Sequence, residues 1–353
     1  MRLIDGGSAP KPPKRLSPLR FAPRSSVSLL AISAVVLSNV AHAEGETKTD
    51  EKKEEKKEGA NEEEKRGAVD LEVVIGGGKV DAINPIANGL TGQIGYERRP
   101  TDVIASGIVL SGRWDVSKSF NLGMRIPIVV ATLRPADDLD RTIANLGNVE
   151  LEAEYEKELN EHVEFFMGAH IALPTSFGNE LPSEATLATD PASVDPIASD
   201  KFSANKAVGS AYGFENNALW LAGYLGIIPA IGVKLRFGPV RIEPYVKLEN
   251  MFSVRPESEE RAIVELDVGG RVAVQVASIK SGESKTRIDV GARVWGSFTL
   301  TDHEGDLNIG VVEPEVRVGG DKWRVTAGVL VPFAGELTDP QWISGRLSAT
   351  VVF

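Results

Sequence analysis

The sequence predicts an all-β fold, a transmembrane antiparallel up-and-down β-barrel of about twelve strands, from three observations. Apolar and polar residues alternate with a period of two over most of the chain after position 67, as strands with two unlike faces require. Short turns alternate with longer polar loops between these segments. An export signal precedes them, and no later apolar run has the roughly 18 residues that a transmembrane helix needs.

The alternation is clearest in residues 149–159, VELEAEYEKEL, where glutamate occupies every even position from 150 to 158. In a soluble β-protein the apolar face of such a strand would meet a core, whereas in an outer-membrane barrel it would meet lipid and the glutamates an aqueous lumen. Eleven further segments keep one parity each. They cover residues 69–75, 108–116, 121–130, 163–171, 219–237, 241–252, 264–275, 287–298, 312–318, 323–333 and 343–353.

The connections distinguish between the two kinds of fold. Tight turns are predicted at 117–119, 160–161, 238–239, 281–284 and 319–322, and longer polar loops at 77–103, 134–144, 176–217, 255–260, 301–306 and 335–341. One rim of short turns and one rim of long loops is typical of an outer-membrane barrel with the N- and C-termini in the periplasm. A soluble exported β-sandwich is the alternative, and it has no reason to sort its loops by length.

Two features of the predicted strands and loops stand out. Pro127, Pro244, Pro314 and Pro332 fall inside strands, where each removes a ladder hydrogen bond, so we predict β-bulges there.

The loop at 176–217 is far longer than ordinary connections. We predict that it folds over or into the mouth of the barrel and restricts passage.

The N-terminal region predicts export. Residues 1–43 carry six basic residues and one acid, then the apolar run VSLLAISAVVLSNV and Ala41-His42-Ala43, which is the layout of a cleaved signal peptide. Its removal leaves a net charge of about −16, which argues against nucleic acid as a partner. The chain has no cysteine and so no disulfides or thiolate chemistry.

The domain organisation follows from composition. Residues 44–66 are rich in Glu and Lys and predict a disordered periplasmic segment, with a helical arm as the alternative. The barrel then spans 67–353, and the expected location is the outer membrane of a Gram-negative bacterium.

The inward parity predicts a lumen with two charged walls. The acidic wall is Glu150, Glu152, Glu154 and Glu156, and the basic wall on the far side is Arg287, Arg293, Arg317, Arg324 and Arg346. Such an arrangement sets up a transverse field that orients polar solutes. The alternative is that opposite charges pair and fill a closed barrel. The other side chains predicted to face the lumen are Arg113, Arg125, His170, Lys234, Arg236, Lys247, Asp267 and Arg271.

These patterns predict an outer-membrane channel or passive transporter for small solutes through a water-containing lumen. A structural or anchoring barrel with a closed lumen is the alternative, and an outer-membrane hydrolase comes third. Only His162, His170 and His303 remain after the signal peptide, and a hydrolase needs His with Ser or Asp at the right depth, so we expect no enzyme and no catalytic residues. The acidic loop 302–306 lacks the spacing of a Ca²⁺ loop, and we expect no metal and no cofactor.

The chain resembles known proteins at two levels. It ends at Phe353 on the lipid-facing parity, and in this it resembles Gram-negative outer-membrane β-barrels, whose members commonly end in an aromatic that the assembly machinery reads. That resemblance implies outer-membrane lipids and the barrel-assembly machinery as partners. LGNVELEAEYEKEL and HVEFFMGAHIALPTSFG, joined by a two-residue turn, are similar to a hairpin of the outer-membrane transporters of phenol meta-cleavage pathways, distant relatives of long-chain fatty-acid transporters. Pro-Thr-Ser-Phe-Gly replaces a tighter Pro-Thr-Gly, and no apolar plug segment precedes the first strand.

Overall fold

The computed structural model describes residues 67–87, 94–136, 139–176, 195–255, 261–281, 284–301, 308–338 and 341–353. The predicted signal peptide (1–43), the charged segment 44–66, His303 and the acidic loop 302–306 lie outside the described residues. Among those described, no helix combines the length and the apolar character needed to cross a bilayer.

The described chain is almost entirely strand. The elements are β1 Gly67–Ala87, β2 Ile94–Ser117, β3 Phe120–Arg134, β4 Arg141–Leu146, β5 Val149–Asn160, β6 Val163–Leu173, α1 Pro196–Ala211, a 3-10 turn Asn217–Leu219, β7 Tyr224–Phe237, β8 Val240–Ser253, β9 Ala262–Ser281, β10 Ser284–Thr299, β11 Asn308–Gly319, β12 Trp323–Ala334 and β13 Ile343–Val352.

The sheet closes into a barrel of twelve wall positions, as predicted. Each strand pairs antiparallel with its neighbours, and β13 returns to β1 in a continuous register. The strands β4 and β5 pair with successive halves of β3, so together they fill a single position in the wall. Closure satisfies the backbone hydrogen bonds of the wall internally, which a sheet in lipid requires. This is the architecture of an outer-membrane β-barrel.

The two rims differ as the loop lengths predict. Five short turns lie at the rim where the barrel begins and ends, and there the Gly67 N–H donates to the Phe353 carbonyl at 3.2 Å. We call this the turn rim and the opposite one the loop rim. The predicted long loop at 77–103 is wrong, because β1 and β2 stay paired as far as Ala87 and Ile94. Beyond Gly76 the β1–β2 hairpin packs against α1 instead of lying between lipid and water, so the alternation of apolar and polar residues ends there.

The outer face is apolar between two aromatic girdles. Trp323 and Phe333, at the two ends of β12, are both exposed. Ten residues cover about 33 Å along a strand, or about 25 Å in height at a tilt of about 40°, which matches the apolar band of such barrels. Exposed apolar side chains lie between the girdles around the circumference, among them Leu71, Leu110, Leu122, Leu151, Met167, Ile231, Val246, Val272, Val290, Val316, Val329 and Leu347.

The proline prediction is confirmed at two positions and wrong at two. One bulge lies opposite Pro127. Between the pairs that β3 makes with Glu150 and with Leu146, β3 has two residues (126 and 127) and the facing chain has three (147 to 149). At Pro332 the register between β11 and β12 shifts by one residue. Pro244 and Pro314 leave the register unchanged: at each, two consecutive pairs of the ladder are absent and the pairing then resumes in the same register.

We predict that the barrel is extracted only with detergent and migrates faster on a gel when unheated than when boiled. The closed sheet stays compact in detergent until heat breaks its ladder of hydrogen bonds. Electrophoresis of paired unheated and boiled samples measures this. A protein that is a soluble monomer without detergent would contradict a lipid-facing outer surface.

Candidate functional site in the barrel lumen

The connection between β6 and β7 folds into the barrel, and we call residues 195–223 of it the plug. Its helix α1 packs on the inner faces of β1 to β4. Asp195 caps the helix by accepting from the N–H groups of Ile197 and Ala198 at 3.0 and 3.1 Å, and Pro196 follows at the first helical position. The described half of the predicted mouth loop therefore lies inside the lumen.

Small side chains bring α1 close to the wall. Its buried face consists mainly of Ala, Ser and Gly. Where the chain leaves the helix, a Cβ on Gly107 of β2 would lie 2.5 Å from the Tyr212 ring and 2.6 Å from Val208, so only glycine fits there. Polar contacts fix the helix along its length, including Asp200 to Arg141 at 3.4 Å and Asn145 to Asn205 at 3.0 Å.

An apolar core fills the loop-rim half of the lumen. Tyr212 and Trp220 of the plug are buried against the inward side chains of β1 to β3, and Trp295 and Trp342 complete the cluster from the other walls. The wall residues in this core include Val74, Val103, Ala105, Val109, Val129, Ala131 and Leu133. A core of this kind excludes water, so the loop-rim half of the described lumen is closed.

The plug then crosses the lumen as a strained segment, Gly213–Ala218, which we call the crossbar. Three of its residues have left-handed backbone conformations: Gly213 (φ 64°), Phe214 (φ 51°) and Asn216 (φ 69°). Such a conformation costs on the order of 1 kcal/mol or more for each residue that is not glycine. The surrounding contacts must therefore hold the crossbar in place.

The strongest of these contacts is a clamp on Glu215. Arg293 of β10 pairs with one carboxylate oxygen, and Arg346 of β13 donates two hydrogen bonds to the other at 3.0 and 3.1 Å. Burial alone raises the pKa of the Glu215 carboxyl, but the charges of Arg293 and Arg346 outweigh it and hold the pKa below its usual range. The clamp is therefore ionised at neutral and mildly acidic pH.

The next three residues of the crossbar bind one wall carboxylate each. The carboxylates belong to β5, β9 and β8, so the wall holds the crossbar from several sides: β9 is adjacent to the β10 strand of Arg293, whereas β5 lies across the barrel. The bonds are Asn216 to Glu150 at 2.9 Å, Asn217 to Glu265 at 3.0 Å and the Ala218 N–H to Glu249 at 2.9 Å.

Asn148 anchors the far end of the crossbar where the wall is interrupted between β4 and β5. Its backbone N–H donates to the Leu219 carbonyl at 2.7 Å instead of to a strand. Its side chain, which is fully buried, donates to the carbonyls of Ala218 and Leu221 at 2.8 Å and accepts from the Ser176 N–H at 3.1 Å. The break in β4–β5 thus supplies the hydrogen bonds that hold the plug.

Below the crossbar lies a charged cavity of about 810 Å³ that extends to the turn rim, and we call it the vestibule. Ten acidic and nine basic side chains line it, so its charges nearly balance. Three predicted acidic-wall residues and all five predicted basic-wall residues face it, and Arg113, Lys234 and Arg271 do as well. The eight wall residues are Glu152, Glu154, Glu156, Arg287, Arg293, Arg317, Arg324 and Arg346.

The acidic wall has more positive partners than the sequence suggested. Glu150 is fully buried and lies 3.3 Å from Arg125 and 3.4 Å from the Nδ1 of His170. Glu156 pairs with Lys234 at 2.9 Å, although that lysine is two strands away, and with Arg113 at 3.7 Å. Such pairs do not follow from the residues of adjacent strands, because long side chains reach across an intervening strand.

The remaining predicted lumen residues form ion pairs within the wall. Lys247 lies 3.6 Å from Asp267. Arg236 pairs with Glu164 at 2.7 Å, and Arg271 pairs with Glu315. His162 lies exposed at a turn beside Glu161, at 3.3 Å. Phe353 is exposed at the turn rim, and its N–H donates to the Gly67 carbonyl at 3.0 Å.

One group of side chains has the donor types of a metal site. Ligand atoms of Glu150, Glu152 and His170 all lie within 4.8 Å of one another. Arg125, however, lies 3.3 Å from Glu150 and 3.8 Å from Glu152. A guanidinium in that position already supplies the positive charge that a metal ion would bring, so the geometry fits an ion-paired cluster better than a metal centre.

Glu215 and Asn148 hold the plug but are not among the residues predicted for the site. The predicted strand 219–237 is wrong at its start, because β7 begins only at Tyr224 and Leu219 ends the 3-10 turn of the plug. The available signal was the stretch YGFENNALW, in which a polar Glu-Asn-Asn follows a glycine between aromatic residues.

Comparison with known proteins finds solved outer-membrane β-barrels that are similar to this chain at low sequence identity. No family model matches, and no curated protein matches. Among solved structures, the COG4313 outer membrane channel from Pseudomonas putida F1 is 11% identical, with 82% of this chain and 96% of that chain covered and a TM-score of 0.48. The β domain of the Bordetella autotransporter BrkA is 13% identical (82% and 100%, TM-score 0.42), and LpxR from Salmonella typhimurium is 11% identical (80% and 100%, TM-score 0.39).

We predict that Asn148→Ala loosens the plug while the wall stays intact. The substitution leaves buried carbonyls of the plug without donors, at a cost of about 1–3 kcal/mol each. Limited proteolysis of folded barrels should cut within residues 195–223 faster than in the wild type. Asn250→Ala is the matched control, because within the described ranges that amide bonds only to carbonyls of β7 and β8. Equal protection of the plug in both variants would contradict the anchoring role.

Proposed function

We propose that the protein is an outer-membrane channel or passive transporter for small polar solutes, held closed by its plug. The observation that carries the proposal is that a charged, water-accessible vestibule ends at the crossbar, where Glu215 lies between Arg293 and Arg346. A barrel that served only as an anchor would have no use for a chamber of this size. Twelve strands fall between small barrels that side chains fill and large porins that stay open.

Opening would require movement of the crossbar rather than of the wall. The wall is a closed ladder of hydrogen bonds, whereas the crossbar is strained and is held by side-chain contacts. The helix beside it buries mainly small side chains, which contribute little apolar area and so little stabilisation at about 25 cal/mol per Å². Release of Glu215 would let the crossbar shift away from the upper end of the vestibule.

The alternative is a structural barrel with a permanently closed lumen. It is favoured by Trp220, Trp295 and Trp342, which are almost fully buried in the apolar core around the plug. Both proposals place the apolar outer face against lipid in the outer membrane of a Gram-negative bacterium. Export by the signal peptide and recognition of Phe353 by the barrel-assembly machinery stay predictions.

The proposal assigns no catalytic role to the lumen. His170 serves as a counter-charge for Glu150 and Glu152, at 3.4 and 3.9 Å. Hydrolysis of lipid or peptide by the purified barrel would contradict this assignment.

The first test is Glu215→Gln in planar lipid bilayers. The variant keeps the shape of the crossbar but removes charge-assisted bonds worth about 1.5–3 kcal/mol, so the open-to-closed ratio should rise roughly 10- to 100-fold. Single-channel conductance measures it. Glu158→Gln, on β5 but outside the vestibule, should behave as the wild type. Silent membranes with Glu215→Gln and with residues 196–218 deleted would favour the closed barrel.

The second test fixes the plug chemically. Asn145 and Asn205 touch across β4 and α1, and the chain has no cysteine, so Asn145→Cys/Asn205→Cys can be joined by a short thiol-specific crosslinker. In the Glu215→Gln background, crosslinking should abolish the added conductance, because α1 can no longer move. Each single-cysteine variant treated in the same way is the control. Conductance that survives crosslinking would mean that the path does not involve this helix.

The third test concerns ion selectivity. In the Glu215→Gln background, Glu152→Gln/Glu154→Gln/Glu156→Gln should shift the reversal potential under a salt gradient towards anions, since three negative charges leave the vestibule. Glu150 is left intact because it holds Asn216. The shift should shrink at 1 M salt, where the Debye length is about 3 Å. An unchanged reversal potential would mean that these carboxylates do not face the conducting path.

A further inference from the structure

The basic side chains of the vestibule fall into two groups. Five of the nine have an ion-pair partner: Arg113, Lys234, Arg271, Arg293 and Arg346. Within the described part of the chain, the other four have none: Arg241, Arg287, Arg317 and Arg324. Three carboxylates of the vestibule, Asp70, Glu243 and Asp289, also have no ion-pair partner among the described residues, but three of the four unpaired arginines lie together on one side of the chamber.

Three of the unpaired arginines converge on one place. Arg287, Arg317 and Arg324 belong to the consecutive strands β10, β11 and β12. In the register, Gly319 lies opposite both Arg287 and Arg324, so these two arginines are two strands, or about 9.5 Å, apart with no side chain between them. Arg317 precedes Gly319 by two residues on the same face, about 7 Å along β11. Arg241 lies on β8 and is separated from this group by β9.

The group contains polar atoms that need a partner. The Nε of Arg317 is buried and has no hydrogen-bond partner among the described residues. Asp289 lies opposite Arg317 in the register, yet the two do not form an ion pair, and one Asp289 oxygen is also buried without a partner. An unsatisfied buried polar group costs about 1–3 kcal/mol, so a bound molecule with an acceptor for Arg317 would be stabilised there.

We propose that Arg287, Arg317 and Arg324 form a binding site for a small multivalent anion that carries carboxylate or phosphate groups. The planar guanidinium fork matches both groups in a bidentate manner. Among the described residues, the guanidinium of Arg324 makes one long hydrogen bond, at 3.4 Å to the Thr350 hydroxyl, which itself donates to Asp70 at 2.6 Å. Most of the Arg324 donors therefore stay available to the anion. Asp289 lies opposite Arg317 in the register and offsets part of the positive charge, so the three arginines together are needed to hold an anion there.

This inference deepens the proposed function by naming the class of solute. Passage of the anion rests on the proposed function, whereas binding requires only the vestibule. The two can therefore fail separately: a silent Glu215→Gln channel would leave the binding site standing, and an open channel that binds no anion would leave the proposed function standing.

The test is isothermal titration calorimetry on the folded barrel in detergent at low ionic strength, with inorganic phosphate and, separately, succinate as probes. Arg317→Gln should weaken binding about 10- to 100-fold, as expected for the loss of charge-assisted bonds of about 1.5–3 kcal/mol. The triple variant Arg287→Gln/Arg317→Gln/Arg324→Gln should show no binding. The probe that binds with the higher affinity identifies phosphate or carboxylate as the preferred group.

Lys322→Gln is the matched control, because it removes one positive charge in the adjoining turn without lining the vestibule. It should change the affinity less than about threefold, as a surface charge screened by salt does. Gel mobility of unheated samples verifies that each variant is folded. No binding of either probe to the wild type, the same affinity in the triple variant, or an equal loss in Lys322→Gln would each overturn the site.

Discussion

A closed sheet in lipid has to direct every second side chain into its own lumen, and the organisation of this barrel follows from that constraint. The outward set is apolar because it meets hydrocarbon, so the polar and charged residues collect inside. Buried charges are costly unless they are paired. The ion pairs of Glu150, Glu156, Asp267, Glu313 and Glu315 with neighbouring cations are the response of the wall to this cost.

The plug divides the lumen into two parts with different physics. On the loop-rim side, small residues of α1 and several aromatic side chains make a core without water. On the turn-rim side, charges line a cavity that solvent can reach. The crossbar lies at the boundary, and Glu215 combines burial with two arginine partners there. A negative charge at this boundary is tolerated because the two guanidinium groups compensate for its desolvation.

The wall could be predicted from the sequence because its rule is local. Parity alone identifies the outward face, and turn chemistry places the five tight turns. The plug could not be predicted in this way. Arg346 and Glu215 are separated by 131 residues, and nothing in the local pattern links them. The helix α1 carries small residues rather than an apolar stripe, so its burial is decided by the space inside the barrel. The interruption between β4 and β5 is equally non-local, since Asn148 makes sense only beside the plug.

The clamp and the proposed anion site share strand β10 and otherwise lie on neighbouring strands, which ties them together electrostatically. Arg317 and Glu315 are two residues apart on β11. Glu315 lies opposite Gly328 of β12, and Gly328 in turn lies opposite Arg346 of β13, which belongs to the clamp. A negative charge bound near Arg317 would thus lie roughly 10 Å from the clamp. At an effective dielectric constant of about 20, one unit charge at that distance contributes about 1.7 kcal/mol. This is comparable to the strength of a charge-assisted hydrogen bond, so an anion at the β10–β12 wall would weaken the hold of the arginines on Glu215. By reciprocity, release of Glu215 would favour binding of the anion.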